Sequence, residues 1–225
     1  MTEHVLGPQD WNSINSSLKK NEIIIIDDFF TEELLSILKT RMLYTKHIDK
    51  NYGTYQAIDY QEDQDYITRL IVEKFKNKLN LLPPFQRAWS FVYHNESHGV
   101  GIHADPSEFN VNIWVSSDES VKDKSLNGLS IYKIAPPSDW ERKDWNSNQR
   151  KVKSYIDSHH IKPVTIDYKS NRAVIFNGTY FHESNQVSMK EGVENRRVSY
   201  TMLFGSQLQK NPMTATGKFG EFLNG

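Results

Sequence analysis

The sequence contains no cysteine among its 225 residues, which excludes disulfides, thiolate metal ligands and cysteine nucleophiles. It also lacks an excess of either charge, since it has 27 Lys and Arg residues and 28 Asp and Glu residues. No net positive charge is therefore present to attract a nucleic-acid backbone. Apolar runs are short, and even residues 23–26, an unbroken isoleucine run, fall far below the about 20 residues of a membrane helix. These absences predict a protein that binds neither nucleic acid nor a membrane.

Two further absences concern the cellular compartment. Residues 1–10 have neither a basic start nor an apolar run, so we expect no secretory signal there. The lack of cysteine agrees with a reducing compartment. We therefore expect a cytoplasmic protein, and the sequence leaves its oligomeric state open.

The pattern of apolar residues changes near residue 85. In residues 1–84, the β-branched run 23–26 predicts a buried strand, and the apolar spacing predicts supporting helices that begin near Thr31 and Asp65. The pair Pro83-Pro84 is predicted to end the second of these helices. In residues 85–205, short apolar stretches alternate with turn signals, which is typical of a β-sandwich or jelly roll. We predict a single domain of mainly β structure with an N-terminal helical layer, followed by a polar tail at residues 206–225.

The triplet His103-Ala104-Asp105 is the strongest chemical signal in the chain. Residues two apart on an extended strand point to the same side, so this imidazole and this carboxylate are expected to project together. His182 lies far downstream, after a predicted strand and a turn. Two histidines and one carboxylate on one face of a metal are typical of non-haem Fe(II) oxygenases.

The ordered set of His103, Asp105, His182, Arg197 and Ser199 resembles the 2-oxoglutarate/Fe(II)-dependent dioxygenase superfamily, in particular its prolyl-4-hydroxylase-like branch. The resemblance implies a double-stranded β-helix, a jelly-roll or cupin-like fold. It also implies Fe(II) as the metal, 2-oxoglutarate as co-substrate, and O2. The implied reaction is hydroxylation of a peptide, an amino acid or a small metabolite, with release of succinate and CO2.

A 2-oxoglutarate enzyme must hold the distal carboxylate of its co-substrate, which an arginine does with two parallel hydrogen bonds. Arg197 shares its strand face with the Ser199 hydroxyl, and this parity favours Arg197 over Arg196. The resemblance adds Tyr93 and Asn112 as candidate co-substrate contacts. Prolyl hydroxylases usually carry lysine at the position of Arg197, so a peptidyl-proline acceptor does not follow from the resemblance.

The sequence also allows other interpretations. His94 and His98 have the spacing of a zinc-protease motif, but Asn95 occupies the position where that motif needs glutamate, which favours loop histidines. A non-catalytic or non-oxidative metal-binding cupin-like domain is the main alternative. Such a domain needs no oxoacid, so Arg197 would have no ligand to bind. A nucleic-acid demethylase of the same superfamily is disfavoured by the neutral charge.

Residues 135–160 form a long polar stretch between two predicted strands. They contain Trp140, Trp145 and a segment near residues 150–156 that predicts a short helix. Long connections inside compact domains are usually functional or disordered, and closing lids exclude water from reactive sites. We expect a mobile flap near the metal that selects the acceptor.

Overall fold

The computed structural model describes residues 5–206, so the predicted C-terminal tail lies outside the described residues except for Ser206. The helices are α1 (Trp11–Lys19), α2 (Glu32–Tyr44), α3 (Tyr66–Lys78), α4 (Arg142–Asn146) and α5 (Gln149–Ser158). The strands are β1 (Ile24–Ile26), β2 (Lys50–Asn51), β3 (Tyr55–Tyr60), β4 (Phe85–Tyr93), β5 (Glu96–Ser97), β6 (Phe109–Trp114), β7 (Leu129–Tyr132), β8 (Val164–Ile166), β9 (Ala173–Asn177), β10 (Phe181–Ser184), β11 (Val187–Ser188) and β12 (Val198–Phe204).

The strands form one large and two small antiparallel sheets. The large sheet has seven strands in the order β1-β9-β6-β12-β4-β3-β2. A three-stranded sheet, β10-β7-β8, and a two-stranded sheet, β11-β5, complete the β structure. Since β6, β9 and β12 are distant in sequence yet adjacent in the sheet, the chain is a jelly roll, as the double-stranded β-helix prediction required.

Helices α1, α2 and α3 cover the outer face of the large sheet. Thr31 accepts a hydrogen bond from the Leu34 backbone N–H at the start of α2, and Asp65 accepts one from Thr68 N–H at the start of α3. Apolar residues of these helices, such as Leu38 and Phe75, pack in one continuous core with the outward-facing side chains of β12. The predicted helical layer is confirmed by this packing.

The inner face of the large sheet looks into the jelly roll. Successive side chains alternate across a strand, so Ser199 and Thr201 of β12 point inward while Val198 and Tyr200 pack under the helices. Ser199 pairs with Trp114 on β6 and with Phe91 on β4, so these side chains share the inner face. The inner face therefore carries polar and aromatic groups, in contrast to the outer face.

Several elements differ from the prediction. Strand β3 was not predicted from the sequence. Its outward residues Ile58 and Tyr60 are buried under the helices and its inward residues include Asp59, so no simple alternation is visible. Helix α3 ends at Lys78, before the proline pair that was predicted to end it. No helix among residues 5–206 combines the length and apolar composition needed to cross a bilayer.

Candidate metal centre and adjoining interior

His103 and His182 are held against each other by their own backbones. The His103 N–H donates to the His182 carbonyl at 3.0 Å, and the His182 N–H donates to the His103 carbonyl at 2.8 Å. His182 belongs to β10 and pairs with Ile131 of β7. The small sheet thus fixes the second histidine beside the first.

The predicted strand at His103 to Asp105 is wrong in one respect, because only a single bridge forms there instead of a ladder. Asp105 is held by its N–H, which donates to the Gly178 carbonyl at 2.8 Å, and Pro106 follows it. The alternation itself is present: Ala104 packs into a separate apolar core while its two neighbours share the other side. The side chains converge although the ladder is absent.

The three side chains form a cluster suited to one metal ion. One donor atom from each of His103, Asp105 and His182 lies within 4.8 Å of the other two. The Nδ1 atoms of the histidines lie 2.8 Å from the Gly101 carbonyl and 2.9 Å from the Tyr180 carbonyl. Because a carbonyl only accepts, each Nδ1 carries the proton, and each Nε2 presents a lone pair to a metal.

The electrostatics of the cluster favour metal binding. Burial and then the neighbouring His182 lower the pKa of His103 to about 4, so its imidazole is neutral near pH 7. Burial alone would raise the pKa of Asp105, but the adjoining His182 imidazole, the His103 imidazole and the hydrogen bond from Asn110 outweigh burial and hold that pKa below its usual value. A neutral imidazole and an ionised carboxylate are the forms that ligate a metal.

Arg197 lies on the same interior, immediately before β12. It is 1% exposed, and its guanidinium carbon lies 4.8 Å from the ring centre of Tyr93 and 5.9 Å from that of Trp114. Among residues 5–206, its Nε and Nη1 atoms have no hydrogen-bond partner. Burial lowers the pKa of Arg197, but the group stays far above the range in which it would lose its proton. A buried cation without a counter-ion is costly, so this geometry fits an anionic ligand.

Other inward-facing polar atoms near Arg197 also have no partner among the described residues. They are Ser199 Oγ, Trp114 Nε1 and Asn112 Oδ1. Each can donate to or accept from a small polar ligand, and native structures leave few such atoms unpaired. The residues present therefore fit both a metal ion and a carboxylate-bearing molecule.

Comparisons with known proteins agree with this geometry at the level of fold. No family model matches the sequence, and no curated protein matches it. Among solved structures, the non-heme alpha ketoglutarate dependent epimerase SnoN from nogalamycin biosynthesis is similar over 92% of this chain and 91% of its own, at 9% identity and a TM-score of 0.63. HygX from Streptomyces hygroscopicus with nickel and 2-oxoglutarate bound is similar over 89% of this chain and 87% of its own, at 8% identity and a TM-score of 0.58.

A Pseudomonas putida prolyl-4-hydroxylase is also similar, over 92% of this chain and 99% of its own, at 12% identity and a TM-score of 0.53. This chain has the fold of the 2-oxoglutarate/Fe(II) oxygenases. The resemblance seen in the sequence is therefore confirmed for the fold. The cofactors expected from the sequence agree with those named for these neighbours, which include nickel, iron, Fe3+ and 2-oxoglutarate.

Within this fold, the remaining predicted residues lie at different places. Tyr93 is buried on β4, and its hydroxyl lies 3.3 Å from that of Ser184. Asn112 donates to the Thr201 hydroxyl at 3.1 Å from the neighbouring strand. Arg196 is only partly buried, unlike Arg197. His98 is exposed, and neither it nor His94 belongs to the donor cluster.

Asn110 was not predicted from the sequence, and its Nδ2 donates to Asp105 Oδ2 at 2.6 Å inside the protein. Its signal was present, because Asn110 and Asn112 share one face of β6 by parity. Outer partners of this kind orient metal ligands, and their removal typically costs about 10- to 100-fold in metal affinity.

We therefore predict that Asn110→Ala weakens Fe(II) binding by about 10- to 100-fold, measured by anaerobic calorimetry without 2-oxoglutarate. Asn112→Ala is the matched control, because Asn112 is on the same strand face but contacts Thr201 instead of Asp105. An equal loss in both variants would show that general disruption of β6, and not the contact with Asp105, causes the effect.

Residues 135–160 are packed against the segment that carries His103 and Asp105. They contain α4 and α5, which agrees with the helix predicted near residues 150–156. Trp145 is 3% exposed and packs with Ile102 and Ala104, and its carbonyl accepts from the Ala104 N–H at 3.2 Å. Trp145 is thus a core residue that joins the segment to the metal site, and the mobility of the segment stays a prediction.

We expect Trp145→Ala to lower the free energy of unfolding by about 3–5 kcal/mol, because it removes a buried aromatic side chain. Trp140→Ala should cost less, since Trp140 is only partly buried against Tyr155 and Phe181. Urea unfolding of both variants measures the difference. Similar losses of unfolding free energy in the two variants would contradict a special role of Trp145. They would show that Trp140 stabilises the fold as much as Trp145 does.

Proposed function

We propose that the protein is a 2-oxoglutarate- and Fe(II)-dependent oxygenase that oxidises a C–H bond of a small molecule and releases succinate and CO2. One observation carries the proposal: the buried Arg197 guanidinium, without a counter-ion among the described residues, faces the same interior as a two-histidine, one-carboxylate cluster. The cluster is suited to bind a metal ion, and the arginine is suited to bind the carboxylate of an oxoacid. A metal-binding domain without oxidative chemistry would need the cluster alone.

In this proposal each group has one task. His103, Asp105 and His182 would hold Fe(II). Arg197 and Ser199 bind the distal carboxylate of 2-oxoglutarate through charged and neutral hydrogen bonds. When bound, Fe(II), 2-oxoglutarate and O2 together supply the oxidising chemistry.

The surrounding residues orient these groups and limit water. Tyr93 and Trp114 flank the Arg197 guanidinium and hold it in place through their ring faces. Ile131 and Val174, both fully buried, are among the apolar residues of the interior core that includes Trp114. An apolar shell strengthens the attraction between a guanidinium and a carboxylate, because little water competes.

The acceptor is proposed to be a small molecule. SnoN has been solved in complex with Fe3+, alpha ketoglutarate and nogalamycin RO, and HygX with nickel, 2-oxoglutarate and hygromycin B. Structural neighbours also include a carbocyclase and a prolyl-4-hydroxylase, so the fold accommodates several activities. Hydroxylation is our proposal for this chain, with a peptide or amino acid as the other acceptor classes.

The proposal is tested by incubating the purified protein with Fe(II), 2-oxoglutarate and O2 and measuring succinate. Acceptor candidates are screened by mass for the gain of one oxygen with matching succinate release. We expect succinate only when all three components are present, and we expect it to fall in Arg197→Leu but not in Arg196→Ala. A protein that binds metal but neither binds nor consumes 2-oxoglutarate would instead be a non-oxidative metal-binding domain.

A further inference from the structure

The residues proposed as metal ligands alternate with apolar residues that face the other way. Ile102 and Ala104 lie on either side of His103, and Phe181 directly precedes His182. These three apolar residues are buried and belong to one cluster. Since neighbouring side chains of an extended chain point to opposite sides, the cluster lies behind the donors of the metal site.

The other members of this cluster come from α4 and α5. Trp140 and Tyr155 pack at its border, and the ring centre of each lies 6.3 Å from that of Phe181. The two helices therefore pack against the back of the segments that carry the donors. We define the rear cluster as the buried residues Ile102, Ala104, Trp145, Val152, Ile156 and Phe181.

Hydrogen bonds join α4 to the same segment of the chain. The Ala104 N–H donates to the Trp145 carbonyl at 3.2 Å, and Asn146 Nδ2 donates to the Ala104 carbonyl at 3.5 Å. Ala104 lies between His103 and Asp105. Both backbone groups of the residue between two donors are thus held by α4.

Helix α5 adjoins a group that orients one of the histidines. Gln149, the first residue of α5, lies so close to Gly101 that a Cβ at residue 101 would be 2.1 Å from Gln149 Nε2. The Gly101 carbonyl accepts the hydrogen bond from His103 Nδ1 at 2.8 Å. Such a bond fixes the orientation of an imidazole and the nitrogen that it presents to a metal.

We propose that α4 and α5 position the metal ligands through the rear cluster, and that Val152 is a positioning residue of this cluster. Ligands of a metal site must be held within about 0.5 Å of the productive geometry by packed neighbours. By linkage, a metal ion that joins the three donors stabilises in turn the docking of the two helices. This inference rests on the proposed function, because it concerns the metal centre of that function.

The first test compares Val152→Ala with Val72→Ala as a matched control. Both valines lie on helices and are buried, but Val72 belongs to the core between α3 and the large sheet. Each substitution removes the same two methyl groups, so both variants should lose similar stability towards urea. The affinity for Fe(II) should fall by about 2- to 30-fold in Val152→Ala and stay within about 2-fold of the wild type in Val72→Ala. Anaerobic calorimetry without 2-oxoglutarate measures it, at a temperature where circular dichroism shows both variants folded.

The second test measures the reciprocal effect by amide hydrogen exchange in the wild-type protein. Zn(II) is the probe, because it binds histidine and carboxylate ligands and has no redox chemistry. Exchange in α4 and α5 should slow by about 5-fold or more when Zn(II) binds, whereas exchange in α3 should change less. This measurement needs no substitution, so it does not depend on the folding of a variant.

The outcomes separate the inference from the proposed function. Equal affinities for Fe(II) in Val152→Ala and Val72→Ala, or exchange in α4 and α5 that Zn(II) does not slow, would overturn the inference. Either result, with Fe(II) bound by the wild-type protein, leaves the proposed function intact. A wild-type protein that binds neither Fe(II) nor Zn(II) would refute the proposed function as well.

Discussion

Replacing His182 by alanine is expected to lower the affinity for Fe(II) by more than about 100-fold. The substitution removes one of the three proposed ligands, and loss of an outer partner alone typically costs about 10- to 100-fold. His182 is 5% exposed, and its Nδ1 donates to the Tyr180 carbonyl, so Nε2 is the nitrogen that it presents to the donor cluster. Anaerobic calorimetry with Fe(II) measures the change, and His103→Ala should behave in the same way.

His98→Ala is the control for removing a histidine, because His98 is exposed and does not belong to the donor cluster. The backbone bonds between His103 and His182 do not depend on the side chain, so the fold should survive, and circular dichroism checks this. His182→Gln, which retains more volume, guards against an effect of the cavity alone. Affinity like that of the wild type in both His103→Ala and His182→Ala would refute the metal assignment.

Replacing Arg197 by leucine is expected to have two opposite effects. The affinity for 2-oxoglutarate should fall by about 10- to 150-fold, since a charged hydrogen bond to the co-substrate is lost. The thermal stability of the protein without metal or 2-oxoglutarate should rise, because the substitution removes a buried charge that has no counter-ion among the described residues. The lost contacts with Tyr93 and Trp114, about 0.5–2 kcal/mol for such ring contacts, are smaller than the several kcal/mol of burying a charge.

Calorimetry with 2-oxoglutarate and thermal unfolding measure the two effects separately. Arg196→Ala is the control, because Arg196 is adjacent in sequence but only partly buried, and it should leave the affinity for 2-oxoglutarate unchanged. A larger loss in Arg196→Ala than in Arg197→Leu would place the co-substrate arginine one residue away. A lower melting temperature in Arg197→Leu would instead show that the guanidinium stabilises the fold.

For wild-type protein, saturating 2-oxoglutarate and metal should raise the melting temperature, because ligands that bind only the folded state stabilise it by mass action.

Local patterns predicted much of the secondary structure. The isoleucine run 23–26 became β1, Thr31 capped α2, and residues 85–93 became β4, because capping and alternation depend on neighbours a few residues away. The end of α3 was misplaced, since Leu79 closes the helix through its N–H to the Phe75 carbonyl before the prolines are reached. Strand β3 was missed, since side chains on both of its faces are covered by other parts of the chain and leave no alternating pattern.

The sequence by itself determined which residue types could act as metal ligands. It also determined on which side of its strand each of these residues lies. His103 and Asp105 were predicted as partners from their spacing, and Arg197 was preferred to Arg196 from its parity with Ser199. These inferences need only the geometry of an extended chain. They do not require knowledge of which strands are neighbours.

The tertiary structure decided which distant segments meet. The tertiary contacts include the bridge between His103 and His182, the contact of Asn110 with Asp105 and the hydrogen bond from Ala104 N–H to the Trp145 carbonyl, and all of them depend on the order of strands and on the docking of α4. The same packing withdrew Arg197 from solvent and left it without a counter-ion among the described residues. Periodicity states which side of its own element a residue faces, whereas non-local pairing and burial determine what that side contacts.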